Sequence, residues 1–449
     1  MATTHPTNVT RAEFETRAQP YTDRAIKLRG RPFSDVVDAS GRQYIDLVLE
    51  GGGTLGIALL GYIHVLEQAG LRFIGIGGTS AGAITATVLA SAGAPASERG
   101  QQLIDVVANM PMASFMDGKK PGDRDAADFV NAFMRHKGVL AKLWAGAQVI
   151  DNLREINGLN RGQAFLDWLT HTLAEYNGGH PMTVAALRQR MTDVPELWVT
   201  EGALASDFAA LDKLPYETLP DGRRRITLNR ERDYLCVVAA DVSTQSKTEF
   251  PRQAKLYWPD SEQVNVAEFA RASMSIPGFF APFTVPSLPA DVARPLWKAE
   301  RVWADENFEG DFLPKQHCFV DGGVLSNFPI AAFHSRSRVP LRPTFGVKLQ
   351  WDEHKNEVHD LIDVARGAVN SARSALDDDF IDQNPDYSRL VAYIDTGKIS
   401  WLDFEMSAAD KLELFERGAR AAAEFLEGFD WTDYKRVRRL LLQARAIET

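Results

Sequence analysis

The chain has 449 residues, 45% hydrophobic and 24% charged, with a formal charge of -10; that is ordinary globular composition, enough for one large α/β domain with embellishments or two to three smaller ones. The negative balance argues against nucleic acid as a partner and against general attraction to an anionic bilayer, so contact with lipid would rest on a local patch. The first residues carry no apolar signal segment, no run approaches the roughly eighteen apolar residues of a spanning helix, and Cys236 and Cys318 lie in apolar strand-like runs that offer neither a disulfide framework nor a metal signature.

In chain order, Met1 to about Arg42 is polar and irregular and reads as a leader, residues 1–43, that packs late or stays mobile. The apolar run Tyr44 to Leu49 predicts a strand leading through Glu50 into Gly51-Gly52-Gly53-Thr54-Leu55-Gly56. A helix-period segment to Ala69 follows, carrying His64 in a packing or surface role. A second apolar run, Phe73 to Ile76, leads into Gly78-Thr79-Ser80-Ala81-Gly82 and opens another helix. Serine flanked at two residues on either side by glycine, at a strand-to-helix turn, is the nucleophile-elbow pattern: small neighbours permit a strained turn that pushes the hydroxyl toward a substrate carbonyl. The amides of the preceding glycine loop carry no side chains to block them and can point at a developing oxyanion.

Taken alone, Gly51, Gly53 and Gly56 also satisfy the dinucleotide fingerprint. That reading needs a carboxylate at the end of the second strand, where the chain has Gly75 to Ser80 instead, and a P-loop fails because no Gly-Lys-Ser or Gly-Lys-Thr occurs. From about Gly93 to Arg232 the pattern turns to helical segments separated by turn clusters such as Gly118 to Asp123, a helical insertion. Within it Phe129 to Val149 has helical spacing, read as packing against the sheet with a lid or lipid-contacting helix as the alternative. Strand signals return at Tyr234 to Ala240, His317 to Val320 and Thr344 to Leu349, and the chain from about Ser407 is helical and alanine-rich.

A serine needs a base. Asp321, directly after a strand and before Gly322 and Gly323, is the best-placed carboxylate; Asp241, at another strand end, lacks the two glycines. Glycine loop, serine elbow and Asp-Gly-Gly, in this order and separation, resemble the patatin-like phospholipase family over roughly Tyr44 to Gln350. The resemblance continues in Arg271 to Pro282 and in Ala239-Ala240-Asp241. It implies an α/β three-layer sandwich with a mixed, largely parallel sheet, a catalytic domain over 44–350 with the insertion at about 93–232, and a mostly helical extension over 351–449.

It also implies a serine-aspartate dyad without histidine: Ser80 as nucleophile, Asp321 as base, amides around Gly51, Gly52 and Gly53 as oxyanion hole, with Gly56, Gly78, Gly82, Gly322 and Gly323 supporting the motifs. No cofactor or metal is called for, and the implied substrate is a phospholipid or other acyl lipid, met by peripheral membrane contact; a cytoplasmic location is expected, or export without a visible signal. One departure is Leu55, where the family loop usually carries a basic residue. It supports the alternative of a catalytically silent lipid- or protein-binding scaffold, against which stand intact Ser80 and Asp321. A triad would need His334, His354 or His359; the last two, like Asp377-Asp378-Asp379, read as solvated charged segments.

Overall fold

Runs that are mostly apolar become strands covered on both faces. Gln43–Leu49 (β2), Leu71–Thr79 (β3) and Leu235–Asp241 (β8) are buried at every position, as parallel strands sandwiched by helices must be. The computed structural model describes residues 8–116, 158–300, 313–350 and 383–448, apart from 209, 210, 212, 336 and 402. With Thr344–Gln350 (β13) and Val391–Asp395 (β14), the three strands form a parallel centre in the order β14-β13-β2-β3-β8.

Antiparallel strands extend this centre. Val36–Asp38 (β1) joins β2 and continues through Leu197–Val199 (β5) and Arg224–Ile226 (β7) to Glu217–Thr218 (β6). Ser246–Phe250 (β9) folds back on β8, which also pairs with Gln316–Asp321 (β12), and β12 with Phe283–Pro286 (β11), with helix Ala290–Ala299 (α8) between these two in sequence. A separate parallel pair joins Gly158–Asn160 (β4) to Gly278–Phe280 (β10). The fold is thus the mixed, mostly parallel α/β sandwich expected.

The glycine-loop helix Ile57–Gln68 (α2) is buried from Ile57 through Glu67. Its cover is Ala408–Gly428 (α9), far away in sequence. The two helices cross where both carry glycine: a Cβ added at Gly61 would strike the Phe415 carbonyl, and one at Gly418 the Ala58 carbonyl. Side chains there would force the axes apart. The polar opening segment, read as irregular, holds a packed helix, Arg11–Ile26 (α1). Thr10 and Glu13 form a capping box at its start, and Phe14, Ala18, Thr22 and Ala25 line one buried face. That face meets α9 through Phe14 and Phe415, whose rings lie 4.8 Å apart.

The insertion is only partly helical. Gly100–Val107 (α4), Gln163–Tyr176 (α5) and Val184–Met191 (α6) share it with β4 to β7, whose few residues give too short a run to announce strands in the sequence. Phe129 to Val149 and the Gly118 to Asp123 turn lie outside the described residues. The C-terminal region is helical in α9 and Trp431–Glu448 (α10), yet it also lends β14 to the sheet. Among the described residues no helix is long and apolar enough to cross a membrane.

Candidate active site

Strand pairing alone brings the predicted serine and aspartate together. Strand β9 occupies one edge of β8 from Val237 to Asp241. The other edge is shared: β3 runs up it until Thr79 lies beside Val238, and β12 runs down it until Asp321 lies beside Ala239. The C-terminal ends of β3 and β12 therefore meet head-on at one step of β8, where successive residues rise only about 3.3 Å. Ser80 leaves one end and Gly322 the other. The approach is so close that a Cβ on Gly322 would strike the Val238 carbonyl and sit 3.0 Å from the Thr79 methyl.

Ser80 holds φ 52° and ψ -121°, one of two non-glycine residues with positive φ among the described residues. Such a conformation costs on the order of 1–3 kcal/mol and persists only where surroundings enforce it. Two features enforce it here. Gly78 lies against Gly82, and Gly82 against the Leu49 and Glu50 carbonyls, so a Cβ at either would collide with backbone. The Ser80 amide donates to Ser273 Oγ at 2.9 Å, and that hydroxyl donates to the Val238 carbonyl at 2.6 Å. Ser273 ends helix α7 (Val266–Ser273) and is fully buried. Ser80 also stands at the N-terminus of α3 (Ala81–Ser91), whose positive end favours developing negative charge nearby.

The glycine loop lies against the elbow. A Cβ on Gly51 would be 3.0 Å from the Ser80 Cβ and would overlap Asn327 Oδ1. Asn327 clamps this residue from both sides: its carbonyl accepts the Gly51 amide at 3.2 Å, and its side-chain amide donates to the Gly51 carbonyl at 3.0 Å. Gly51 is thus occupied as a donor. Among the described residues, the Gly52 and Gly53 amides have no acceptor. Gly53 has φ 55°, and a Cβ on Gly56 would come 3.1 Å from the Ala81 methyl. Leu55 is fully buried in the core, which suits an apolar side chain at that position.

Asp321 is buried at the end of β12, and its Oδ1 accepts the Gly323 amide at 2.7 Å. Its own amide donates to the Ser275 carbonyl at 2.8 Å. Arg271, on α7, fixes that region from within, donating to the Gly162 carbonyl at 3.0 Å, to the Arg161 and Ala281 carbonyls, and to Ser275 Oγ. The three predicted motifs therefore converge, held by Ser273, Asn327 and Arg271. No role was assigned to these three from the sequence, because a polar side chain does not announce which backbone group it will meet; only their backbone partners reveal their task.

Other candidates are engaged elsewhere. Asp241 accepts from the Ser243 amide at 2.9 Å, Thr244 Oγ1 at 2.8 Å and His317 Nδ1 at 2.8 Å in a buried cluster. His64 packs 6.0 Å from the Phe415 ring, and burial pushes its pKa down. His334 lies edge-on to Tyr387 at 4.5 Å. His354, His359 and Asp377 to Asp379 lie outside the described residues. Cys236 is a buried free thiol pushed up to about 12 by desolvation, and Cys318 is also free. Among the described residues no group of His, Cys, Asp and Glu is arranged to hold a metal ion.

Comparison with known proteins places the chain in a family. The chain is 25% identical over 394 residues, 87% of its length and 99% of the other's, to the uncharacterized protein YqhO of Bacillus subtilis. Among solved structures it is similar to VipD of Legionella pneumophila, at 15% identity and TM-score 0.39 over 88% of this chain and 70% of that one. A structure of the ExoU-SpcU complex of the Pseudomonas aeruginosa type III secretion system is similar at 16% identity and TM-score 0.30, over 86% of this chain and 51% of that one. The family model for patatin-like phospholipase matches residues 47–334, from β2 through the Asp321 loop. That span is well over half of the chain and contains every motif described above, so the protein belongs to the patatin-like phospholipase family and is a lipid hydrolase by class.

Proposed function

We propose that the protein hydrolyses fatty acyl esters of phospholipids or related lipids, a phospholipase A type of reaction, through a Ser80 acyl-enzyme. Asp321 takes the Ser80 proton as the hydroxyl attacks the ester carbonyl, and the Gly52 and Gly53 amides with the positive end of α3 stabilise the oxyanion. The leaving alcohol collects the proton. Asp321 then activates a water that attacks the acyl carbonyl, releasing the fatty acid and restoring Ser80. Gly51, with its amide tied to Asn327, acts by close approach rather than as a donor.

The observation that carries this reading is the strained Ser80 turn facing the glycine loop at the point where β3 and β12 meet end to end. A packing serine has no need of positive φ, and a structural loop has no need to keep two amides without acceptors. The substrate class rests on the family. Labelling of the wild-type protein by a fluorophosphonate, lost in Ser80→Ala, tests the nucleophile; loss of a nucleophile costs on the order of 10⁴ to 10⁶ in rate. Phospholipid vesicles and p-nitrophenyl esters of graded length, assayed with chelator present, test the substrate. Turnover of acetate and butyrate esters alone would leave a small-ester hydrolase and remove the lipid from the proposal.

A further inference from the structure

The glycine loop is held from outside the family segment. Residues 47–334 match the family, yet two hydrogen bonds from the turn that leads into α2 reach to Ser400 and Trp401, beyond β14. The Thr54 amide donates to the Trp401 carbonyl at 2.9 Å, and Thr54 Oγ1 donates to the Ser400 carbonyl at 3.1 Å. Gly53, whose amide faces the substrate in the reading above, lies directly under the same residue: a Cβ there would collide with the Trp401 carbonyl and come 3.1 Å from Cε3 of its indole. Slightly further on, Phe404 stacks on Phe279 at 4.8 Å with the rings 6° from parallel. Phe279 belongs to the stretch that follows Ser275, the residue whose carbonyl holds the Asp321 amide.

The same stretch of chain thus rests on both the glycine loop and the aspartate side of the site. It is tethered at each end by regular structure, β14 in the sheet and α9 across α2, whose start is capped by Ser407 Oγ accepting the Asp410 amide. We propose that Thr54, through its two bonds to Ser400 and Trp401, is a positioning residue that sets the angle of the Gly52 and Gly53 amides, so that the oxyanion site is completed by the C-terminal part of the chain. The proposal rests on the ester-hydrolase reading. Its physical basis is that a loop of three glycines has no intrinsic preference for one conformation, whereas oxyanion donors act only when held within a few tenths of an ångström of the oxygen they serve.

Thr54→Val removes the hydroxyl donor and keeps the side-chain shape; Thr54→Ser keeps the donor and removes a methyl. In the full-length protein, Thr54→Val is expected to lower kcat about tenfold with KM changed less than twofold, part of the roughly 10² to 10³ that outright loss of an oxyanion donor costs. Thr54→Ser should stay near wild type. Amide hydrogen exchange over residues 51–56 should be faster in Thr54→Val and restored in Thr54→Ser, while the β2 and β3 amides exchange at wild-type rates in both. Wild-type kcat and exchange in Thr54→Val would overturn the proposal, and so would an equal loss in Thr54→Ser, which would trace the effect to packing. If the wild-type protein hydrolyses no ester, the functional reading falls instead, and the exchange comparison alone decides whether Ser400 and Trp401 hold the loop.

Discussion

Replacing Ser273 by alanine removes a single oxygen that never meets substrate, yet it should damage both stability and turnover. In the native protein that oxygen accepts the Ser80 amide at 2.9 Å and donates to the Val238 carbonyl at 2.6 Å, with no exposure to water. Alanine leaves the Ser80 N–H buried and unpaired, a cost of about 1–3 kcal/mol. The strain at Ser80 is of the same size, roughly 1–3 kcal/mol. With its pin gone, the turn can relax toward negative φ, which swings the hydroxyl away from the glycine loop. Misplacement of a reacting atom by about 1 Å costs on the order of 10² in rate. Ser273→Ala should therefore lower the melting temperature and reduce both kcat on a long-chain p-nitrophenyl ester and the rate of fluorophosphonate labelling by about 10- to 100-fold. Both can be read on one preparation by differential scanning fluorimetry and stopped assays. A variant that melts and turns over like wild type would refute the argument that Ser273 holds the elbow.

Asp321→Asn should cost nearly as much activity as loss of the nucleophile, while His334→Ala, His354→Ala and His359→Ala each retain most of it; collapse in one folded histidine variant would point to a triad. Gly53→Val should lower kcat by roughly 10² to 10³ with little effect on KM, because a β-branched residue resists φ 55° and its Cβ would strike the Trp401 carbonyl; wild-type kinetics would show that the loop serves something other than the oxyanion. His64 titrates below its ordinary value because burial disfavours the charged ring. Its contribution to stability is therefore present above the unfolded pKa of about 6.5 and is lost as pH falls from there toward the lower folded value. Urea midpoints of wild type and His64→Gln between pH 7.5 and 5.5 should converge as the pH drops, and a constant gap would exclude this linkage.

The site motifs were legible because each one alters backbone geometry in a way that only certain residues tolerate. Gly78, Gly82 and Gly322 stand where any Cβ would collide with main chain, so the residue type announces the contact before the partner is known. Parallel strands were legible for a similar reason, since burial on both faces leaves mostly apolar runs in β2, β3 and β8, broken in β2 and β3 only by a few buried polar residues such as Asp46 and Arg72. What escaped were features defined by a distant partner. Helix α1 reads as polar because only a narrow stripe, Phe14, Ala18, Thr22 and Ala25, is buried, and without α9 in view that stripe has no evident purpose. Asn327 and Ser273 escaped similarly: a polar side chain says nothing of which backbone group it will meet. That β12 enters against the direction of β3 is likewise a fact of topology that no local pattern encodes.

The crossing of α2 by α9 also sets a timetable for the ribosome. Helix α2 leaves the exit tunnel with almost no polar face, while the helix that seals it, and the Ser400 and Trp401 carbonyls that steady the turn before it, belong to a stretch synthesised hundreds of residues later. At roughly 5–20 residues per second that interval lasts tens of seconds. Throughout it the nascent chain carries an apolar helix without its α9 cover and a glycine loop without its outer support. Translation that stalls before α9 should leave a chaperone client, and on the reading proposed above hydrolysis should begin only once α9 has closed over α2.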